Sequence, residues 1–150
     1  MKYQLQWHVK KFEELSLDEL YQIMKLRSEV FVVEQDCVYL DLDDKDGKAL
    51  HIFGVGGGKI RAYARLFNKG TYFDQASLGR VVVPYEDRNY GYGHELIEEC
   101  IKAIRSNYGT TEIKISAQTY LRKFYESHRF QKVGEEYLED GIPHIAMIKE

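Results

Sequence analysis

Arg88-Asn89-Tyr90-Gly91-Tyr92-Gly93 is the stretch that decides the fold, because of what stands on either side of it. Upstream, Val81-Val82-Val83 reads as a buried strand. Downstream, Leu96, Ile97, Cys100, Ile101 and Ile104 fall on one helical stripe. A strand, a turn with two glycines and a helix make a device for holding phosphate. The helix start offers unpaired N–H groups and the positive end of its dipole, and glycine lets the backbone close on a ligand. Two familiar nucleotide loops do not fit. A dinucleotide fingerprint spaces its glycines G-x-G-x-x-G, whereas this turn runs R-x-x-G-x-G. A P-loop ends in Gly-Lys-Ser/Thr, whereas Gly93 is followed by His94 and Glu95.

Outward from the turn, strands and helices alternate. Tyr3, Leu5, Trp7 and Val9 alternate with polar residues, predicting a half-buried first strand. Ser16-Leu17-Asp18-Glu19 is a capping box with Leu15 and Leu20 as its hydrophobic staple, so a helix runs from Ser16 to about Val30. His51 to Val55 and Ile60 to Leu66 form a hairpin across Gly56-Gly57-Gly58. Leu78 to Val83 is a fourth strand, ended by Pro84. Glu112 to Gln118 alternates as a strand, and Tyr120 to Ser127 is a short helix carrying Phe124-Tyr125-Glu126, followed by Phe130. Lys132 to Leu138 and Ile142 to Ile148 pair across an Asp140-Gly141 turn. No linker, repeat or low-complexity tract interrupts residues 1–150, which predicts one mixed α/β domain.

Composition narrows the function. At 150 residues and 44% hydrophobic, the chain suits a single core. A net charge of -3 gives no global basic field, so no nucleic-acid partner is expected. No apolar run approaches the ~20 residues that span a bilayer, and Met1-Lys2-Tyr3-Gln4 opens no signal peptide, so no membrane partner is expected. Cys37 and Cys100 form no C-x-x-C pair and read as reduced thiols of a cytoplasmic protein. The five histidines and two cysteines show no zinc spacing, and no metal is expected.

The order R-x-x-G-x-G after a hydrophobic strand, then Phe124-Tyr125 with Phe130 beyond, resembles the GNAT superfamily of N-acyltransferases. Phe31-Val32-Val33-Glu34-Gln35, Gly79 to Val83 and Glu139 to Ile145 are similar to its ElaA-type group. The resemblance implies an α/β GNAT fold, a single mixed and mostly antiparallel sheet of about six to seven strands flanked by helices. It also implies direct transfer of an acetyl group from acetyl-CoA, as co-substrate, to a primary amine on a small molecule, peptide or protein. The alternative is a sensor or partner module that binds CoA with little or no turnover.

By the same resemblance, Arg88, Asn89, Tyr90, Gly91, Tyr92 and Gly93 cradle the pyrophosphate. Val81, Val82 and Val83 face the pantetheine arm, with the backbones of Val81 and Val83 hydrogen-bonding it. Gln118 contacts pantetheine where many relatives use asparagine; a plain strand-end glutamine is the other reading. Tyr125 is the candidate acid for the departing thiolate, its phenol staying protonated with a pKa of about 10. The catalytic base is the open question. Many relatives carry a glutamate where this chain has Gly79. Glu34 and His144 are the candidate replacements, against a solvated Glu34, a structural His144, or no dedicated base at all.

Arg129 stands where relatives usually carry glycine, which implies a different helix end or a side chain that reaches a CoA phosphate. The acidic run Asp36, Asp41, Asp43, Asp44 and Asp46 fails as a calcium loop, because Lys45 takes a ligand position and Ile52 replaces the final glutamate. It reads as a solvated loop, or as an acceptor entrance at which Asp41, Asp43 or Asp44 favours a cationic amine. Exposed edge strands leave a homodimer open.

Overall fold

Ser16 and Glu19 close the predicted capping box. The Glu19 N–H donates to Ser16 Oγ at 3.0 Å, and the Ser16 N–H donates to Glu19 Oε1 at 2.9 Å. From this cap the first helix, α1, runs over Leu17–Arg27 in the computed structural model, which describes residues 2–150. The chain does not leave its helical path near Val30 as expected. It widens into a π-helical segment, Ser28–Glu34, in which Gln35 N–H reaches back to Val30 O (3.1 Å) and Cys37 N–H to Val32 O (3.0 Å). The wider turn keeps Val30 and Phe31 both buried, while Arg27 lies with no exposed surface.

The described residues form seven strands: β1 (Gln6–Lys11), β2 (Leu50–Gly56), β3 (Lys59–Phe67), β4 (Ser77–Val82), β5 (Ile113–Gln118), β6 (Gln131–Glu139) and β7 (Ile142–Lys149), with the expected hairpins at β2–β3 and β6–β7. Two more helices, α2 (Tyr92–Tyr108) and α3 (Arg122–Glu126), flank β5 in the chain. The β2–β3 turn places Gly57 and Gly58 at φ +61° and +74°, and the β6–β7 turn places Asp140 and Gly141 at +52° and +77°. Two consecutive residues at positive φ suit the right-handed twist of a tight hairpin. Pairing follows the order β1-β2-β3-β4 in one antiparallel ladder and β5-β7-β6 in another. The expected continuous sheet is therefore divided. Among the described residues the two ladders are joined by an isolated parallel bridge between Ala76, just before β4, and Ile113 of β5, where Lys114 N–H donates to Ala76 O at 2.9 Å.

α2 lies against both ladders. Leu96, Ile97, Cys100 and Ile104 pack with Ala64 and Leu66 of β3 and with Ile113, Ile115 and Met147 of the second ladder. Full burial of such a leucine or isoleucine stabilises the fold by about 2 kcal/mol over exposure. The other face of the first ladder receives α1, through Ile23 and Leu26 against Phe53 and Tyr63. No helix among the described residues is long and apolar enough to cross a membrane.

The acidic stretch is not a solvated loop. Arg27 holds Asp41 (2.9 Å) and Asp46 (2.7 Å); Arg65 holds Asp43 (2.5 Å) and Asp46 (3.0 Å); Arg80 reaches Asp41 at 2.8 Å. Three cations thus meet three carboxylates, and only Asp36 and Asp44 of the run stay on the surface. Burial pushes the Asp46 carboxyl up, but Arg27 and Arg65 outweigh it and hold it below the usual carboxylate range. Removing one partner from such a buried set costs about 3–5 kcal/mol, since a bare charge remains. The charges meet because α1, β3 and β4 bring arginines from distant parts of the chain to one place.

Candidate active site

β4 ends at Val82, and the chain enters the glycine turn through Pro84 and a short 3-10 turn, Tyr85–Asp87. Asn89 and Gly91 both adopt positive φ, +81° and +80°. Gly91 caps α2, no side chain occupies that cap, and the first backbone bond of the helix runs from Glu95 N–H to Gly91 O at 3.2 Å. The first-turn N–H groups are thereby left for a ligand. A cavity of about 450 Å³ opens on them, lined by Val81, Val82, Val83, Arg88, Asn89, Gly91, Tyr92, Gly93 and His94. Of the turn residues expected to hold pyrophosphate, Tyr90 alone does not line it; its ring packs 5.7 Å from that of Tyr92. The Tyr92 hydroxyl is turned into the fold, where it accepts from Tyr3 N–H at 2.6 Å.

Past the Ala76–Ile113 bridge, β4 and β5 part, and a second cavity of about 110 Å³ lies between them. Its walls include Gly79 and Arg80 of β4, Ser116 of β5, and Glu139 and His144 of the β6–β7 hairpin. An extra residue in β4, Arg80 at φ +49°, breaks the pairing with β3 here. Phe31, Gln35, Val81, Gln118, Leu121 and Tyr125 line both cavities, so the two join.

Tyr125 stands at that junction. It is 5% exposed, with its ring edge-to-face against Phe124 at 5.2 Å and Phe130 at 5.7 Å. Burial pushes its hydroxyl above the ordinary tyrosine value, which keeps the proton in place for donation. Gln118 is not a free strand-end amide: it exchanges hydrogen bonds with Gln35, 3.3 Å in each direction. The Val83 carbonyl is taken by Arg88 Nε at 3.0 Å.

The two candidate bases are separated. Glu34 is gripped by the Arg88 guanidinium at 2.6 and 3.0 Å and lines neither cavity. The turn's own arginine thus holds both of its carboxylate oxygens. His144 is 7% exposed and lines the smaller cavity. Its Nδ1 lies 2.7 Å from the Ile142 carbonyl, which only accepts, so Nδ1 carries a proton and, in the neutral ring, the lone pair is on Nε2. Gly79 leaves an open space, for a Cβ built there meets nothing within 4 Å.

Arg129 ends its helix at φ +73°, in the conformation expected of glycine, and its side chain is exposed. α3 is tied back to α2 by a chain the sequence did not suggest: His94 Nδ1 to His128 Nε2 at 2.8 Å, and His128 Nδ1 to Glu98 Oε1 at 2.8 Å. Gln35, Ser116 and Glu139 were also missed as site residues. Gln35 sits within a quoted motif, and Glu139 falls two positions from Tyr137 on one face of its strand.

A family model described as an acetyltransferase (GNAT) domain matches residues 13–150. The chain is 36% identical over 148 residues to the protein ElaA of Escherichia coli, covering 97% of each. It is 38% identical over 146 residues to a UPF0039 protein of Synechocystis, covering 97% of this chain and 95% of that one. Among solved structures, an acyl-CoA N-acyltransferase from Pseudomonas aeruginosa superposes with a TM-score of 0.91 at 39% identity, over 98% of this chain and all of that one (100%). Escherichia coli ElaA superposes at 0.90 with 35% identity and the same coverage, 98% and 100%. The chain belongs to the GNAT superfamily of acyltransferases, in its ElaA-type group.

Proposed function

We propose that the protein is an N-acetyltransferase that moves the acetyl group of acetyl-CoA directly to a primary amine, within a ternary complex and as a single cytoplasmic domain. The observation that carries this reading is the junction of the two cavities at Tyr125. The larger cavity, ending on the open N-terminus of α2, suits the pyrophosphate and pantetheine. The smaller one suits the acceptor, and the thioester falls where they join.

The chemistry follows from that placement. The amine nitrogen attacks the thioester carbon, and the C–N bond forms as negative charge gathers on the carbonyl oxygen. A backbone N–H of β4 that meets this oxygen lowers the barrier by roughly 3 kcal/mol. The C–S bond then breaks, and Tyr125 protonates the leaving thiolate. His144 Nε2 receives the proton that the amine gives up. Holding both reactants in one cleft supplies much of the remaining rate.

The test is calorimetric titration of acetyl-CoA into the native protein and a Gly91→Glu variant, joined to a thiol-release assay with a panel of primary amines. Binding lost in the variant, with thiol release that depends on the amine, is the expected result. Binding without amine-dependent release would leave the sensor reading in place. No binding by the native protein would overturn both.

A further inference from the structure

We propose that Glu139 selects the acceptor: with Ser116, Tyr137 and His144 it receives a small cationic primary amine as its ammonium ion, and His144 takes the first proton. The inference rests on the acyl-transfer reading above.

Strand register places these side chains together. Gln118, His144 and Tyr137 are paired across β5, β7 and β6; Ser116 lies two residues from Gln118, and Glu139 two from Tyr137. Paired residues share a face, and so do residues two apart, so the five form one polar row, of which Ser116, Gln118, Glu139 and His144 line the smaller cavity and Tyr137 stands behind Ser116. Within the row the hydrogen bonds have a direction. Ser116 Oγ lies 3.1 Å from Glu139 Oε1, and a carboxylate only accepts, so the serine proton goes there. The Tyr137 hydroxyl, 2.5 Å from Ser116 Oγ, then donates to the serine. Two hydroxyls in series are committed to Oε1. The other oxygen, Oε2, is left facing His144 Nε2 at 3.5 Å, with the Tyr137 ring stacked beside that imidazole.

The charge balance of the cavity points to a cation. Across from Glu139 stand Arg65 and Arg80, but both are already matched by Asp41, Asp43 and Asp46, with Arg27 completing the set. Asp140 adds a second carboxylate beside Glu139, at a turn pinned by Cys37 Sγ to the Asp140 carbonyl (3.4 Å). The unmatched charge on this wall is negative. Tyr72, which also lines the cavity, senses it: burial first, and then Glu139, pushes its hydroxyl above the ordinary value. An amine bearing a nearby carboxylate would set that carboxylate against Glu139, with no arginine of unmatched charge in the wall to offset it.

The protons balance. The ammonium gives one proton to His144 Nε2, which passes it to solvent. The amine attacks, the C–N bond forms and the C–S bond breaks. Tyr125 protonates the thiolate; His144 Nε2, by then neutral again, takes the second proton from the attacking nitrogen and hands it to solvent, from which Tyr125 is reprotonated. Ammonium and thioester thus yield amide, CoA thiol and one proton.

The experiment compares butylamine with 4-aminobutyrate as acceptors for the native protein, Glu139→Gln and Glu139→Asp, and measures acetyl-CoA binding by titration in all three. Butylamine should be preferred in kcat/KM, with its KM rising as salt is added. Glu139→Gln, which still accepts from Ser116, should raise the butylamine KM about tenfold, flatten the salt dependence and abolish the preference. Acetyl-CoA binding should stay unchanged in it. Glu139→Asp should keep the preference. Equal or better use of 4-aminobutyrate, an unchanged KM in Glu139→Gln, or acetyl-CoA binding without acylation of either amine would overturn the proposal. Loss of acetyl-CoA binding in the native protein would instead overturn the acyltransferase reading beneath it.

Discussion

Gln35 and Gln118, 83 positions apart, each donate to the other's side-chain oxygen at 3.3 Å. The pair fastens the end of the π-helical segment to the end of β5, at the point where the two cavities join. Each amide is half-buried, so removing one leaves the other without its partner. Gln35→Ala and Gln118→Ala should each weaken acetyl-CoA binding several-fold. In a double-mutant cycle the two should couple by about 1 kcal/mol. Strict additivity would show that the pair does not act as a unit.

Tyr125→Phe should keep the ring contacts with Phe124 and Phe130 and lose only the hydroxyl. We expect kcat to fall roughly 10²-fold while the dissociation constant for acetyl-CoA stays within experimental error. Parallel loss of binding would mean that the phenol holds the cofactor rather than serving the leaving group.

Gly79 offers room for a side chain beside His144 in the same cavity. His144→Ala should lower kcat, and adding Gly79→Glu should recover about tenfold of the loss by supplying a carboxylate base from β4. Steady-state rates of the single and double variants decide it. No recovery in a folded double variant would argue that the proton leaves by water.

Acid should destabilise the protein in two stages. Burial holds the His51 imidazole below its ordinary pKa of about 6.5, so the folded state binds that proton less readily than the unfolded chain. Its contribution is whole above that pH and declines below it. Asp43 and Asp46 come next. Burial pushes both carboxyls up, but arginine partners outweigh it and depress them, so their contribution persists down to about pH 4 and is lost below. Urea midpoints measured from pH 8 to pH 3 should show both declines, and His51→Gln should remove only the first.

Arg129→Gly should stabilise the protein by about 1 kcal/mol, because a non-glycine residue at φ +73° carries strain that glycine does not. A rise of about 2–4 °C in the melting temperature would match that figure. A fall would show that the arginine side chain makes a contact worth more than the strain.

Local chemistry made most of the fold legible. The capping box at Ser16, the paired turn residues at Gly57-Gly58 and Asp140-Gly141, and the glycine turn before α2 are all written within a few neighbouring residues. What escaped depends on residues far apart in the chain. Arg27, Arg65 and Arg80 give no hint in sequence that they will neutralise Asp41, Asp43 and Asp46. The amide pair of Gln35 and Gln118 is equally invisible to periodicity. Glu139 was within reach: a two-residue turn at Asp140-Gly141 fixes Tyr137 opposite His144, and alternation then brings Glu139 to the same face. The π-helical widening after Arg27 has no local signature, since it answers to the packing of Val30 and Phe31.

The order of the second ladder, β5-β7-β6, has a consequence for how the protein is made. In the first ladder each strand pairs with the one just before it in the chain, so β1 to β4 can assemble as the chain emerges from the ribosome. The second ladder cannot, because its central strand, β7, is made after both of its neighbours. Until Ile142–Lys149 has been synthesised, β5 and β6 have no ladder partner between them, and Ile113, Ile115 and Ala117 lie on an open edge. A premature stop within the last hairpin would therefore not yield a merely weakened fold. It would leave a half-built protein with an adhesive strand, which is work for chaperones and proteases.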